Sequence, residues 1–186
     1  MAELEHPKPP LADSVVHLRP WRIQDVPGKL MAFGDPVIEQ FAWSRTTAYT
    51  EADARSYFVE QETARRVGGA LTVAITDPHD ERVVLGGASL YDVDLGQARS
   101  GIGYWLVPEA RGRGAATHTV RLLSGWAFRE LGLKRIELTC GPDNSASQRV
   151  AERCGFVREG VLRSHLVFKD GRRDSVIFSL LPGELR

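Results

Sequence analysis

Hydrophobic and polar residues change their spacing several times along this chain, and each change marks an element. Val16 and Leu18 alternate with His17 and Arg19, the period of a half-buried strand. Residues 25–33 then read as a short helix with Pro27 in its first turn, where the missing amide costs nothing. Over 50–67, Ala54, Tyr57, Phe58 and Gln61 recur at helical spacing behind Thr50 and Asp53, a capping arrangement, and Gly68 and Gly69 stop the run. Leu71, Val73 and Ile75 alternate with Thr72 and Ala74. The turn Asp77, Pro78, His79, Asp80 follows, and 83–90 returns as a more apolar strand.

Ile102, Tyr104 and Leu106 form a further strand that Pro108 must end, because proline lacks the amide a ladder needs. Ala116, Val120, Leu123, Ala127 and Leu131 then lie on one helical stripe over 115–131, closed by Gly132. Ile136, Leu138 and Cys140 alternate with Glu137 and Thr139. Asp143 or Asn144 can cap the next helix, which runs to Arg153 and stops at Gly155. Two last strands, 162–168 and 175–181, flank Lys169, Asp170, Gly171 and Arg172, an Asp-Gly hairpin signal. Strands and helices in this order predict an α/β (α+β) class with a mixed sheet, and no repeat suggests a solenoid or propeller.

Length and charge narrow the classes. A chain of 186 residues with 42% hydrophobic content suits one domain. Residues 1–12, proline-rich and without periodicity, read as a flexible tail ahead of a domain at 13–186. Twenty-four basic and 24 acidic residues give a formal net charge of zero, so neither a nucleic-acid nor a membrane partner is expected, and any anion must be bound locally. No apolar run approaches the roughly 18 residues of a spanning helix, which makes the cytoplasm the default compartment. Cys140 and Cys154 form no CxxC or Cys/His cluster, so no metal is expected.

The chemistry concentrates between strand 102–107 and helix 115–131. Arg111, Gly112, Arg113, Gly114, Ala115 and Ala116 turn the chain into a helix N-terminus, where unpaired amides and the helix dipole favour an anion. The glycines let a ligand approach those amides, and the two arginines add full charges, a combination suited to a diphosphate. No GxxxxGK[ST] is present, and the third glycine and downstream acid of a dinucleotide fingerprint are missing. Taken alone, the Arg-Gly-Arg-Gly run fits a plain strand-to-helix turn with solvated arginines equally well.

The run from Gly103, Tyr104, Trp105 and Leu106 through Ala116 resembles the cofactor segment of the GNAT N-acetyltransferases, whose pattern Q/R-x-x-G-x-G/A is filled by Arg111, Gly114 and Ala116. A second block, Asn144, Ser145, Ala146 and Ser147 with Gly155 and Phe156 beyond it, resembles the RimJ/RimL-like branch, which modifies ribosomal-protein N-termini. Looser likeness at Leu18-Arg19-Pro20, Asp35-Pro36 and 170–175 extends the resemblance over nearly the whole chain.

The resemblance implies a GNAT fold: one twisted, mostly antiparallel sheet of about six or seven strands with about four helices. It implies a splayed strand pair, 102–107 and 136–140, that receives the pantetheine of acetyl-CoA, with Leu106 and Val107 as backbone partners and 111–116 holding the phosphates. It further implies direct acetyl transfer from the thioester to a primary amine, with no metal. The family's usual tyrosine donor position holds Ala151 here, so Ser147 is the expected thiolate donor, with Asn144 as helix cap and pantetheine contact. Relatives often carry a glutamate at the position of Gly101, so the base falls to a water chain or to His165. His118 stands where an acidic residue is common. Family geometry nominates Phe33, Trp43, Tyr49, Tyr104, Arg163 and Asp174 for the acceptor. That acceptor is expected to be a protein or peptide α-amine, the alternatives being a small amine (polyamine, amino sugar or antibiotic) or a non-catalytic acyl-CoA sensor. A homodimer is the further partner the family suggests.

Overall fold

A computed structural model describes residues 3–42 and 47–186. Eight strands form one sheet in the order β1-β2-β3-β4-β5-β6-β8-β7: β1 (Leu11–Ala12), β2 (His17–Arg19), β3 (Leu71–Thr76), β4 (Val84–Asp94), β5 (Arg99–Leu106), β6 (Arg135–Cys140), β7 (Val157–Phe168) and β8 (Gly171–Leu180). The strand count exceeds the expected six or seven because the two-residue β1 pairs Leu11 with Leu18, too short a stretch to show a period. All neighbours are antiparallel except β5 and β6, which are joined by the helical crossover that a parallel pair requires.

Five helices cover the sheet: α1 (Val26–Ala32), α2 (Pro36–Ala42), α3 (Glu51–Arg66), α4 (Ala115–Glu130) and α5 (Ser145–Cys154). Alternation along the strands sorts the faces. Leu90, Ile102, Ile136 and Leu138 pack with Val120, Leu123 and Ala127 of α4 in the main core. Trp105 points the other way, toward Trp21 and Phe33 in the layer of α1 and α3. Because helices lie on both sides, every residue of β3 is buried.

Local chemistry fixes the ends of these elements. Thr50 Oγ1 accepts from Asp53 N at 3.2 Å while the Asp53 carboxylate accepts from Thr50 N at 2.8 Å, the capping box expected for α3. Helix α2 was not expected: it is only seven residues long, although Val37, Ile38, Phe41 and Ala42 fall at helical spacing. It starts because the Asp35 carboxylate accepts from Val37 N and Ile38 N at 3.1 and 3.0 Å. Arg19 and Asp25, of which 2% and 5% of the side chains are exposed, form a two-pronged pair at 2.8 Å that ties β2 to the start of α1.

The segment read as a flexible tail instead packs on the domain. Leu4 is buried in the core, donates its amide to Arg65 O at 3.1 Å and accepts from the Arg65 guanidinium through its carbonyl. A lone leucine among prolines carries no periodic signal, and only the presence of α3 gives it a partner.

Candidate active site

The parallel pairing of β5 and β6 stops early. Arg99, Ser100 and Gly101 pair with Arg135, Ile136 and Glu137, but β5 continues to Leu106 and β6 to Cys140 without pairing. The V between them is a cavity of about 430 Å³, bordered by Ile38 and Phe41 of α2, Tyr104 and Leu106 of β5, Cys140 of β6 and Ser147 of α5. Its far end opens at Arg111, Gly112 and Ala116.

The loop at that end adopts a conformation few residues tolerate. Gly112 has φ +74° and Gly114 φ +84°, both left-handed, and nothing lies within 4 Å of where a Gly112 Cβ would stand. The first helical bond of α4 runs from His118 N to Gly114 O at 3.0 Å, which leaves the amides of Ala115, Ala116 and Thr117 without helical partners. Arg113 is exposed beside them. Arg111 is placed differently: its guanidinium grips the Asp35 carboxylate and donates to Leu106 O at 3.2 and 3.0 Å. That contact holds the Asp35 carboxyl below its usual range, against the opposing effect of burial. Arg111 therefore joins the loop to α2, and Arg113 is the exposed arginine of the loop.

Leu106 and Val107, both expected to face the pantetheine, part company. Val107 donates to Leu85 O at 2.9 Å and accepts from Ala110 N at 3.1 Å, so neither of its backbone groups is free. Because residue 107 sits in a hydrogen-bonded antiparallel pair, residue 106 turns its amide the other way, into the V. The Leu106 amide is thus turned to the V, whereas both backbone groups of Val107 are engaged elsewhere.

Ser147 and Asn144 meet at the start of α5, where Asn144 Oδ1 accepts from Ser147 N at 3.1 Å. The Tyr104 phenol donates to Ser147 Oγ at 3.2 Å. Burial pushes that phenol up to about 12, so it stays a donor, and the Ser147 hydroxyl keeps its own hydrogen for a third group. Burial raises the nearby Cys140 thiol, against the opposing effect of Ser147. Tyr104, nominated for the acceptor, thus lies under Ser147 on the cofactor side of the cavity. His118 sets its Nδ1 2.7 Å from Asp13, pinning the chain before β2 onto the first turn of α4.

The other acceptor nominees scatter. Phe33 and Tyr49 stack at 4.3 Å and pack with Trp105 around Lys29, of which 1% is exposed. The Lys29 ammonium sits 3.8 Å from the Tyr57 ring centre and 4.2 Å from that of Phe33, and burial lowers its pKa to about 7. These rings form the layer behind the V. Trp43 lies outside the described residues. Arg163 is exposed and borders none of the cavities around the V. Asp174 does border one, of about 360 Å³, with Phe41, Leu166, Phe168 and Arg173, though its carboxylate already accepts from Ser164 N at 2.7 Å.

His165 borders a third cavity, of about 450 Å³, together with Tyr91, Glu137 and Leu162. It reaches there because β7 bulges between Leu162 and Leu166, with Ser164 at φ +54°. Its Nδ1 is buried with no partner among the described residues. Sequence reasoning passed over Tyr91, Glu137 and Thr139, although the outward alternation of Glu137 and Thr139 against Ile136 and Leu138 was visible. Thr139 borders all three cavities.

Residues 16–157 match the acetyltransferase (GNAT) domain family. The chain belongs to the GNAT acetyltransferases. Within that family, it is 29% identical over 175 residues to YjcK of Bacillus subtilis, described as a candidate N-acetyltransferase, covering 92% of this chain and 96% of that protein. It is 38% identical over 96 residues to YdaF of the same organism, described as a candidate ribosomal N-acetyltransferase; that match spans about half of each chain, 52% in both cases. Among solved GNAT structures, Mycobacterium smegmatis RimJ in complex with CoA-disulfide superposes with a TM-score of 0.81 at 24% identity, over 95% of this chain and 87% of that one, a likeness of fold. Among the described residues no helix is long and apolar enough to cross a membrane, and no cluster of His, Cys, Asp and Glu could hold a metal ion.

Proposed function

We propose that this GNAT protein transfers acetyl from acetyl-CoA to the α-amine of a protein or peptide. The observation that carries the reading is the V between β5 and β6: at one end it meets a helix N-terminus with unpaired amides, and at its middle a serine hydroxyl has a hydrogen to give. The residues fit the cofactor. The open space over Gly112, the amides of 115–117 and Arg113 suit its phosphates, and the Leu106 amide suits an amide of the pantetheine. When bound, acetyl-CoA supplies an acyl group already activated as a thioester.

The chain's own groups then divide the work. Ser147 donates to sulfur as it departs, held in place by Asn144 through its amide and by Tyr104 through its oxygen. Removal of the amine proton is the second task and belongs to the other side of the V, where His165 and Glu137 stand. The acceptor side forks: one cavity runs from Thr139 toward Phe168 and Asp174, the other toward His165. A fork at the reacting nitrogen suits a carbon bearing two substituents, as the α-carbon of a peptide N-terminus does, better than the unbranched chain of a polyamine. The likeness to YdaF, described as a candidate ribosomal N-acetyltransferase, and to RimJ in complex with CoA-disulfide supports this reading.

The test is calorimetric titration with acetyl-CoA followed by free-thiol release across N-terminal peptides and small amines. Binding with thiol release on peptides supports the proposal; release on small amines alone replaces the acceptor class. Binding without release for any amine makes the protein an acyl-CoA sensor, and no binding overturns the reading.

A further inference from the structure

The Tyr91 ring lies flat along β5. A Cβ at Gly101 would overlap ring carbons Cζ and Cε2, and one at Gly103 would stand 3.5 Å from Cε1, so the two glycines form the bed on which the ring rests. Tyr91 is the direct antiparallel partner of Gly101, and Gly101 is the parallel partner of Glu137, at the last rung before β5 and β6 separate. Tyr91 therefore forms the partition at the apex of the V, bordering both the V and the His165 cavity. Thr139, two residues beyond Glu137 on β6, stands on the same face of that strand and borders the same two cavities as Tyr91. Thr139 is also the residue where the two acceptor cavities and the V meet.

We propose that the hydroxyls of Thr139 and Tyr91 form a relay that carries the acceptor's proton from the V into the cavity of His165 and Glu137. The inference rests on the transferase reading above. A protonated amine must lose one proton before its lone pair can form the C–N bond. That proton passes from nitrogen to Thr139 Oγ, while Thr139 gives its own to Tyr91 Oη and Tyr91 gives its own to water in the far cavity. Each hydroxyl ends as it began. As the C–N bond forms the C–S bond breaks; sulfur leaves with the bonding pair and takes the Ser147 proton, and the second proton of the amine nitrogen returns to Ser147 Oγ as the amide forms.

Tyr91 suits a relay rather than a base. Burial raises the phenol, Thr139 eases it, and the charges of Asp92 and Glu137 raise it further, so it stays protonated. The groups facing the exit come from four strands: Asp92 of β4, Arg99 of β5, Glu137 of β6 and His165 of β7. Glu137 is held by Arg135 at 2.8 Å, whereas the His165 Nδ1 has no partner among the described residues and its imidazole borders the cavity.

Tyr91→Phe keeps the ring on its glycine bed and removes only the hydroxyl; Thr139→Val removes the other. Each is expected to lower kcat about 10- to 100-fold at neutral pH while the acetyl-CoA Kd stays within about twofold. The double variant should be no slower than the worse single, because the two act as one path. The deficit should shrink as pH rises toward the acceptor's own pKa, where the amine arrives already neutral. Single variants within about twofold of wild-type kcat, losses that multiply in the double variant, or a deficit constant with pH would each overturn the relay. A wild-type protein that neither binds acetyl-CoA nor releases thiol would instead overturn the transferase reading, so the two failures are distinguishable.

Discussion

The proposed cofactor side and the proposed acceptor side of this protein are built by different means. The cofactor side is one contiguous stretch, 106–117, in which backbone conformation makes the site: two left-handed glycines, a helix start and a strand end. The acceptor side is assembled from side chains on β4, β6, β7, β8 and α2, and two of its participants, Tyr91 and His165, sit beside bulges that interrupt the pairing of their strands. A backbone site is written in consecutive residues and tolerates little change at a few positions. A side-chain site depends on register between strands far apart in sequence, and a one-residue slip would remove it.

The sharpest way to break the comparison is at Gly114. Gly114→Val forces a β-branched residue into φ +84° at the helix start and should raise the acetyl-CoA Kd more than about 100-fold, read by calorimetry. Retained tight binding would show that the loop does not hold the cofactor. Ser147→Ala is the next largest: kcat should fall about 100-fold with binding preserved, because the hydroxyl acts on the departing sulfur and the cap from Asn144 uses the serine amide, which alanine keeps. An equal loss in binding and turnover would make Ser147 a structural residue.

The two arginines separate the loop's charge from its architecture. Arg113→Ala should weaken acetyl-CoA about tenfold at low salt, fading as salt rises, with unchanged thermal stability. Arg111→Ala should lower stability as well, because it releases Asp35 and with it the anchor of α2. Identical behaviour of the two variants would contradict the division of labour.

The smallest effect sharpens the acceptor boundary. The pKa of Lys29 is about 7 in the folded protein and near 10.5 unfolded, so between those values the unfolded chain binds more protons and stability rises with pH. The slope is at most ~1.4 kcal/mol per pH unit, for one proton. Lys29→Met should abolish that slope in thermal melts and leave the acceptor KM unchanged. A shifted KM would return Phe33 and Tyr49 to the acceptor site.

The sequence was most legible where a local rule applies. The capping box at Thr50 and Asp53, the glycine stops and the Asn144 cap appear as read, since each is decided within four residues. Helix α2 and the buried Leu4 were not expected: the first is only seven residues long, and the second depends on α3. At the site, Arg111 was recognised as a motif residue, but its side chain is turned to Asp35, 76 positions away in sequence. Val107 was read as a pantetheine contact, and β4 takes its amide, a pairing no motif records.

The amino-acid sequence by itself determined the order of the longer strands and helices, the glycine-rich turn into α4 and the family, because hydrophobic period, glycine conformation and helix termini are properties of neighbouring residues. Tertiary structure alone decided which polar groups meet at the end of the V. The apex depends on where β5 and β6 cease to pair, and Tyr91, Thr139 and His165 come together there through strand register, a long-range balance of packing that short-range patterns do not encode.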